Sequence, residues 1–520
     1  MWLFNEIQSL GDIPLHYAGH TPDAPALIGM SGTVTWRALN ARANQMSHVL
    51  AELGIQSQDR MAILGGNSVQ YFELLFGASK LDATFLPLNW RLAVPELQDV
   101  VEDAAPRLLF ADSDFAEIAA KIASSSPTAC RVVVYNSNKP DEGELATLAT
   151  RASEADPEID VNPLHTCILM YTSGTTGRPK GVQQSHQNHL YLRLCEHLEP
   201  SFQYRASDCM LTVMPLFHAM GLSLSLQALY NGASVAVYPM PDPVILAGLI
   251  TQIRPTVLPL IPTAVQMLID HPDNAEADLS SVRLVVYAGS SITVPVLKRA
   301  IQRLGCEFIQ FYGATETCSG VTFLRPADHR LDDEARLKSC GAPLPLMEIR
   351  VANEQGEELP NGQVGEFLIR SPSLCEGYRG QPVATAAAFR DGWYRSGDAG
   401  YRDEAGLLYI VDRVKDMIIS GGENVYSTEV EQAVQKLAEV ALCAAVGVPD
   451  PKWGERVTVA VVRQLGTELD EAKVIEHCRG LIAGYKVPKR VVFLESLPMT
   501  PSGKVMKKIL REDLQKITCK

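Results

Sequence analysis

The chain has 520 residues, 46% of them hydrophobic, and a formal net charge of −14. That is enough apolar material for a large core and more than one domain, while an acidic chain without an extended basic stripe lacks the electrostatic footprint of a nucleic-acid binder. Its eleven cysteines form no Cys-x-x-Cys pair and no His/Cys set at zinc spacing, so they read as reduced thiols of a cytoplasmic protein with no structural metal. The start, Met1-Trp-Leu-Phe-Asn-Glu, lacks the basic region and apolar run of a signal peptide, no apolar stretch reaches transmembrane length, and Ile517-Thr-Cys-Lys520 is neither a prenylation box nor a peroxisomal signal. From Asp416 on the chain is close to neutral, so the acidic excess lies before it.

In chain order, helical patterns first alternate with short apolar runs at Met61 to Leu64, Arg107 to Phe110 and Val132 to Tyr135, the signature of α/β units. A poorly patterned patch from Asn136 to Asn162 reads as a surface connection. Cys167-Ile-Leu-Met170 reads as a buried strand, and it runs into Tyr171-Thr-Ser-Gly-Thr-Thr-Gly-Arg-Pro-Lys-Gly-Val182. Glycines in such a loop let backbone N–H groups approach phosphate oxygens, and Thr172, Ser173, Thr175, Thr176 and Lys180 add donors around Gly174. Because Pro179-Lys180-Gly181 closes it, the loop is not a P-loop, which disfavours a switch-type NTPase. The alternation resumes with strands at Ala233 to Val237, Thr256 to Leu260 and Leu284 to Tyr287. After Lys338 short alternating segments at Glu348 to Val351, Gly365 to Arg370 and Gly406 to Val411 suggest a small antiparallel barrel. A separate mixed α/β piece follows Asp412-Arg-Val-Lys-Asp416, and Lys507 to Arg511 within it reads as a solvated helix face.

The loop at Tyr171 to Val182, with its companions downstream, resembles the signature of the adenylate-forming superfamily, which includes acyl- and aryl-CoA synthetases, luciferases and peptide-synthetase adenylation domains. The resemblance covers nearly the whole chain. It implies an α/β fold: a large N-terminal domain of two doubly wound layers plus a small β-barrel over residues 1–412, and a smaller mobile α+β lid over 413–520 with its hinge at Lys415. In this family a carboxylate attacks the α-phosphorus of ATP, and a thiol then displaces AMP; such chemistry relies on positioning and charge stabilisation, not on a protein nucleophile.

Phe311-Tyr-Gly-Ala-Thr-Glu-Thr317 matches the family's Tyr-Gly-x-Thr-Glu motif. By resemblance Tyr312 stacks on adenine beside Gly313, Thr315 contacts phosphate and Glu316 helps bind Mg²⁺, which prefers a carboxylate plus substrate phosphates. Tyr394-Arg-Ser-Gly-Asp398 carries Ser396 where the family has threonine, and Asp398 is expected on the ribose diol, with Arg413 on the same sugar or the phosphate. Tyr287-Ala-Gly-Ser-Ser291 resembles the turn along adenine and the acyl chain, which brings in Gly289 and Ser290. Lys504, in Pro498-Met-Thr-Pro-Ser-Gly-Lys504, matches the lysine that neutralises charge during adenylation. Closure about Lys415 would swap it for Ile419-Ser-Gly-Gly-Glu-Asn424, where Gly421 and Gly422 line a pantetheine tunnel. Trp453, Lys486 and Lys489 resemble positions around the CoA nucleotide, and Arg91 is a candidate for its phosphates. The alternatives for these four are core filler for the tryptophan and solvated surface for the cations. Leu64-Gly-Gly-Asn-Ser68 resembles a carrier protein's attachment site, but it opens the periodic helix Val69 to Leu81 instead of sitting in a small helical bundle.

Pro215-Leu-Phe-His-Ala-Met-Gly221 resembles the segment that gates the carboxylate pocket, with His218 and Met220 as candidates and Gly289 and Gly313 at the pocket's open end. The run that follows is apolar and has no acidic residue to hold an α-ammonium group, which disfavours charged amino acids as substrates. The pattern is nearest to bacterial medium- and long-chain fatty acyl-CoA synthetases, and the reaction expected is ATP-, Mg²⁺- and CoA-dependent ligation of a fatty acid. An aryl-CoA ligase is the alternative, followed by a carrier-loading acyl-AMP ligase and a luciferase-like oxidase. Between Glu196 and Asp208 there is only Arg205, so peripheral membrane contact is expected to be weak; a homodimer is allowed.

Overall fold

A computed structural model describes residues 3–172, 179–421, 423–499 and 505–518. The chain divides into two compact units, one made of Met1–Ile349 and Ile369–Tyr394, the other of Arg350–Leu368 and Arg395–Lys520.

The first unit holds two large sheets. One has nine strands, in the order Ala342–Pro343, Gly320–Leu324, Glu307–Gly313, Leu284–Tyr287, Val257–Leu260, Cys209–Thr212, Ser234–Val237, Pro25–Gly29 and Gly32–Thr35. Its central strands pair in parallel, Leu284 with Glu307 and Tyr287 with Gln310, and their continuous apolar sequence follows from burial on both faces. The other has seven strands, in the order Gly377–Tyr378, Lys180–Ser185, Thr166–Thr172, Thr84–Pro87, Arg60–Leu64, Leu108–Asp112 and Arg131–Tyr135. The expected strands are therefore present, with ends moved by a residue or two. The Asn136 to Asn162 connection also contains a short helix, Glu144–Ala149.

Helix Val69–Lys80 is buried along its whole length, which explains why its sequence is apolar nearly all round. It packs against helix Trp36–Glu52 so closely that a Cβ on Gly77 would lie 2.4 Å from Met46 Cβ. Helix Val294–Leu304 stops at Gly305, whose φ of 61° ends the helix in the left-handed conformation.

The strands expected as a barrel are present as a five-stranded sheet of Glu348–Ala352, Gly365–Arg370, Trp393–Arg402 and Phe389–Arg390, with Leu408–Arg413 beside Trp393–Arg402. The division between the compact units cuts the chain within these strands.

The second unit also contains a sheet ordered Glu423–Val425, Ile418–Ser420, Gly454–Arg463 and Val440–Asp450, with Arg490–Phe493 parallel to Gly454–Arg463. Strand side chains alternate between faces. Val457, Val459 and Val461 therefore join one apolar cluster with Val430 and Val474, and Ala460 joins another with Leu510 and Leu514 of helix Lys507–Thr518. Lys507 is not on a solvated face: its Nζ lies 2.8 Å from Glu431 and donates to Ser427 Oγ at 2.5 Å. Amphipathic periodicity marked the helix but could not show that its first turn lies over an acidic residue of a neighbouring helix.

Candidate active site

In the first unit, Thr172 and Lys180 are direct cross-strand partners on the antiparallel strands that flank the glycine-rich loop. Ser173, Gly174, Thr175 and Thr176 lie outside the described residues. Lys180 Nζ stands 4.7 Å from the centre of the Tyr378 ring, because the short Gly377–Tyr378 strand pairs with Lys180–Ser185 through Tyr378 and Val182. Tyr378 then donates its hydroxyl hydrogen to Glu316 Oε1 at 2.7 Å. Burial, reinforced by the adjacent carboxylate, raises the phenol far above its ordinary pKa, so Tyr378 remains a donor.

Glu316 sits in a one-turn 3-10 helix, Thr315–Thr317, whose backbone is fixed from several directions. Thr317 Oγ1 accepts from Ala314 N at 3.0 Å, Cys375 N donates to Glu316 O at 2.9 Å, and Gln184 Nε2 donates to Thr315 O at 2.7 Å. The half-buried Tyr312 lies in the preceding strand beside its last residue, Gly313, where a Cβ would be 1.9 Å from Ser319 O. Only glycine fits there. Gly289 and Ser290 are exposed, and Gly289 adopts a φ of 90° with Ile261 Cγ2 at 3.5 Å from its virtual Cβ.

The Pro215 to Gly221 segment is held by residues outside the motif. Asn67 donates through Nδ2 to Met214 O at 2.9 Å and Tyr238 O at 3.0 Å, and its Oδ1 accepts from Leu216 N at 3.0 Å. His218 is the extended residue before helix Ala219–Tyr230, and a Cβ on Gly221 would press on Pro215 O at 2.4 Å. From the neighbouring helix, Arg193 donates to Ser223 O at 2.6 Å and Ser223 Oγ at 2.9 Å, with its charge met by buried Glu196 at 2.7 Å. Met220 packs partly buried on the apolar core that also receives Tyr238, Met240, Ile261 and Ile292. Arg91, a candidate for CoA phosphates, lies 5.0 Å from the Trp90 ring and 5.9 Å from the Phe217 ring, beside this segment.

In the second unit, Asp398 and Arg413 face each other across antiparallel strands, with Arg413 Nε 2.8 Å from Asp398 Oδ1. Asp398 N donates to Ser396 Oγ at 3.0 Å, so the serine at the threonine place of the motif supports the aspartate. Asp412 accepts from Ser427 N and Ser427 Oγ, at 2.5 and 2.6 Å, and from Arg413 N at 2.8 Å. Lys415 is exposed in the 3-10 turn Val414–Asp416. Among the CoA candidates, Gly421, Trp453 and Lys489 come together: Gly421 N donates to Trp453 O at 2.7 Å, and Lys489 Nζ is 5.9 Å from the Trp453 ring. Lys486 is held instead by both oxygens of Glu429, at 2.7 and 2.8 Å. Gly422 and Lys504 lie outside the described residues, although Met499 and Val505, on either side of the Lys504 segment, form a β-bridge.

Tyr378, Gln184 and Asn67 are the residues that motif reading missed. Tyr378 and Gln184 lie in unremarkable strand sequence, and Asn67 was visible only inside a pattern that resembles something else.

Comparison with known proteins shows the family. The AMP-binding enzyme family profile matches residues 15–379, and that of the AMP-binding enzyme C-terminal domain matches residues 429–504. The chain is 36% identical over 501 residues to a feruloyl-CoA synthase of Amycolatopsis sp, covering 96% of this chain and 98% of that one. It is 33% identical over 481 residues to the long-chain-fatty-acid–CoA ligase FadD13 of Mycobacterium tuberculosis, covering 92% and 93%. The crystal structure of ATP-bound MatB from Rhodopseudomonas palustris superposes with a TM-score of 0.88 at 30% identity, covering 98% of this chain and 99% of that one. Among the described residues no helix is long and apolar enough to cross a membrane.

Proposed function

We propose that this chain, which belongs to the AMP-binding enzyme family and is an AMP-forming acid–thiol ligase using ATP and CoA, acts on a hydrophobic monocarboxylic acid, a medium- or long-chain fatty acid. The observation that carries this reading is the apolar, carboxylate-free character of the His218 to Leu229 segment, with flexible Met220 and Met240 and branched Ile261 around one core. Unbranched thioether side chains adapt to an extended alkyl chain at little strain. A second reading, an aryl-CoA ligase, draws support from the 36% identity to a feruloyl-CoA synthase.

In the proposed reaction a carboxylate oxygen of the acid attacks the α-phosphorus of ATP, the bond to pyrophosphate breaks, and the acyl-adenylate forms. The CoA sulfur, having lost its proton, then attacks the acyl carbonyl carbon and the bond to AMP breaks. Lys180 and Thr172 supply donors for phosphate oxygens, Thr315 a hydroxyl for the α-phosphate, Tyr312 a face for adenine, and Asp398 and Arg413 contacts to the ribose. Lys504 neutralises the charge that gathers as carboxylate and phosphate meet. Gly421, Trp453 and Lys489 receive CoA, and His218 with Met220 borders the acid.

The donor set at Glu316 fits Mg²⁺. Tyr378 takes one position on Oε1 and fixes the carboxylate's orientation, while a carboxylate offers about four lone-pair sites, leaving acceptor capacity for a hard cation. When bound, the ion would neutralise phosphate charge, and Glu316 would hold it.

The test is pyrophosphate release over a panel of alkyl and aromatic acids, with and without CoA. Turnover rising with alkyl length and completed to thioester by CoA is expected. Preference for cinnamate- or benzoate-type acids would replace the alkyl reading with the aryl one, and AMP formation without thioester would overturn both.

A further inference from the structure

Near the start of the chain, on residues not assigned to ligation, three metal-competent side chains converge. His16 and His20 stand one turn apart on helix Asp12–His20, their rings stacked at 4.2 Å and 26°. Glu6 Oε2 lies 2.7 Å from His16 Nδ1 and 3.9 Å from His20 Nε2, and the three donor atoms are all within 4.8 Å of one another. We propose that Glu6, His16 and His20 form a binding site for a divalent transition-metal ion.

The chemistry of the donors supports this. Two imidazoles and a carboxylate suit borderline ions such as Zn²⁺. In a tetrahedron with bonds of about 2.0–2.1 Å the donors are roughly 3.3 Å apart, and the two measured separations straddle that value, so modest side-chain rotations reach it. The tautomer is also set. His20 Nδ1 is 2.8 Å from His16 O, so that nitrogen donates to the carbonyl and Nε2 keeps its lone pair on the Glu6 side. A ligating histidine ordinarily has its second nitrogen anchored in this way.

The scaffold holds the donors before any ion arrives. The His16 side chain is only 10% exposed and meets the Tyr17 ring edge-on at 4.8 Å, and Tyr17 in turn packs on Trp36 and donates to Tyr230 O at 2.8 Å. Glu6 ends helix Leu3–Glu6, and the bend that follows is fixed by Asp12 Oδ2, which accepts from Gln8 N at 2.9 Å and Ser9 N at 2.7 Å. Leu10 N then donates to buried His186 Nδ1 at 3.1 Å, tying the segment to helix His186–His197. Glu6 and His20 face solvent, which leaves an entry path and room for water ligands.

The experiment uses the full-length chain freed of metal with a chelator and titrated with Zn²⁺ against a chromophoric competitor. The exposed positions allow Glu6→Gln and His20→Ala without opening the core. We expect one Zn²⁺ per wild-type chain at this site and affinity at least about tenfold weaker in each variant, the scale of loss seen when a ligand environment is disturbed. Zn²⁺ should raise the wild-type melting temperature, since binding to the folded state alone stabilises it, and raise that of His20→Ala by less at the same concentration. Acyl-CoA formation should be the same in all three chains. Absence of Zn²⁺ binding, or equal affinity and stoichiometry in wild type and both variants, would overturn the proposal and leave Glu6 and His16 as a side-chain contact only.

Discussion

The orientation of Glu316 rests on a tyrosine 62 positions later in the chain. A hydrogen bond to a charged group contributes about 1.5–3 kcal/mol, which corresponds to roughly a 10–100-fold change in rate if it is needed in the transition state. Tyr378→Phe removes the donor and keeps the ring that packs on Phe389 and lies beside Lys180. Pyrophosphate release should therefore fall about 10–100-fold, with more Mg²⁺ needed for half-maximal rate and little change in melting temperature. An unchanged rate and Mg²⁺ dependence would show that the contact is structural only. Thr315 and Glu316 were legible because they stand in one contiguous motif. Tyr378 was not, because its role depends on strand pairing that brings residue 378 next to residue 182. Lys486, whose sequence neighbourhood resembles a CoA-contacting stretch, has its ammonium paired with Glu429, a contact that sequence spacing does not show.

Two elements carry predictions of their own. Asn67 joins the entry of helix Val69–Lys80 to the Met214 to Leu216 segment and to Tyr238 by three hydrogen bonds. Its motif resembles a carrier attachment site but opens a periodic helix, and its side chain acts as a clamp on the Met214 to Leu216 segment. Asn67→Ala leaves backbone groups without partners, at a cost of about 1–3 kcal/mol each if they stay buried. Its expected kinetic signature is a KM for the acid raised about tenfold or more, with the KM for ATP nearly unchanged; equal effects on both substrates would reduce Asn67 to a general stability role. The second prediction concerns the helix that begins at His186. Its Nδ1 accepts from Leu10 N, so the ring must be neutral, and burial pushes its pKa down to about 4. The unfolded ring titrates near the ordinary value of 6.5, so between pH 6.5 and about 4 only the unfolded chain takes up this proton. Stability is thus fully present above pH 6.5 and lost as pH falls, at up to about 1.4 kcal/mol per unit for one proton. His186→Asn keeps an acceptor without titrating. Denaturant melts from pH 7 to 4.5 should show a shallower decline in that variant, and parallel curves would exclude His186 as a source of acid sensitivity.

For the molecule as a whole, the alternation of apolar runs and helical patterns sufficed to read two doubly wound layers and a smaller C-terminal piece, because strands buried on both faces must be continuously apolar. The change of pattern near Asp412 is a signal along one dimension, whereas compactness follows sheet pairing, and the compact units divide at Ile349, Leu368 and Tyr394. The proposed chemistry has a corresponding division, since adenylation and thioester formation call on different residues. Lys504→Ala should lower acid-dependent pyrophosphate release by roughly 10²–10³-fold, the scale for deleting one charge-stabilising donor, while largely sparing conversion of supplied acyl-adenylate to thioester. Gly421→Ala should act in the opposite sense. Gly421 has a φ of 64°, and its added Cβ would stand 3.1 Å from Trp453 Cε3, so the strain falls on the cluster proposed to receive CoA. Adenylation should then persist while the KM for CoA rises. Measured on the same preparations, the two half-reactions should fail separately in the two variants. Equal loss of both steps in Lys504→Ala would refute the role assigned to that lysine, and a matching equal loss in Gly421→Ala would mean that one set of residues serves both steps.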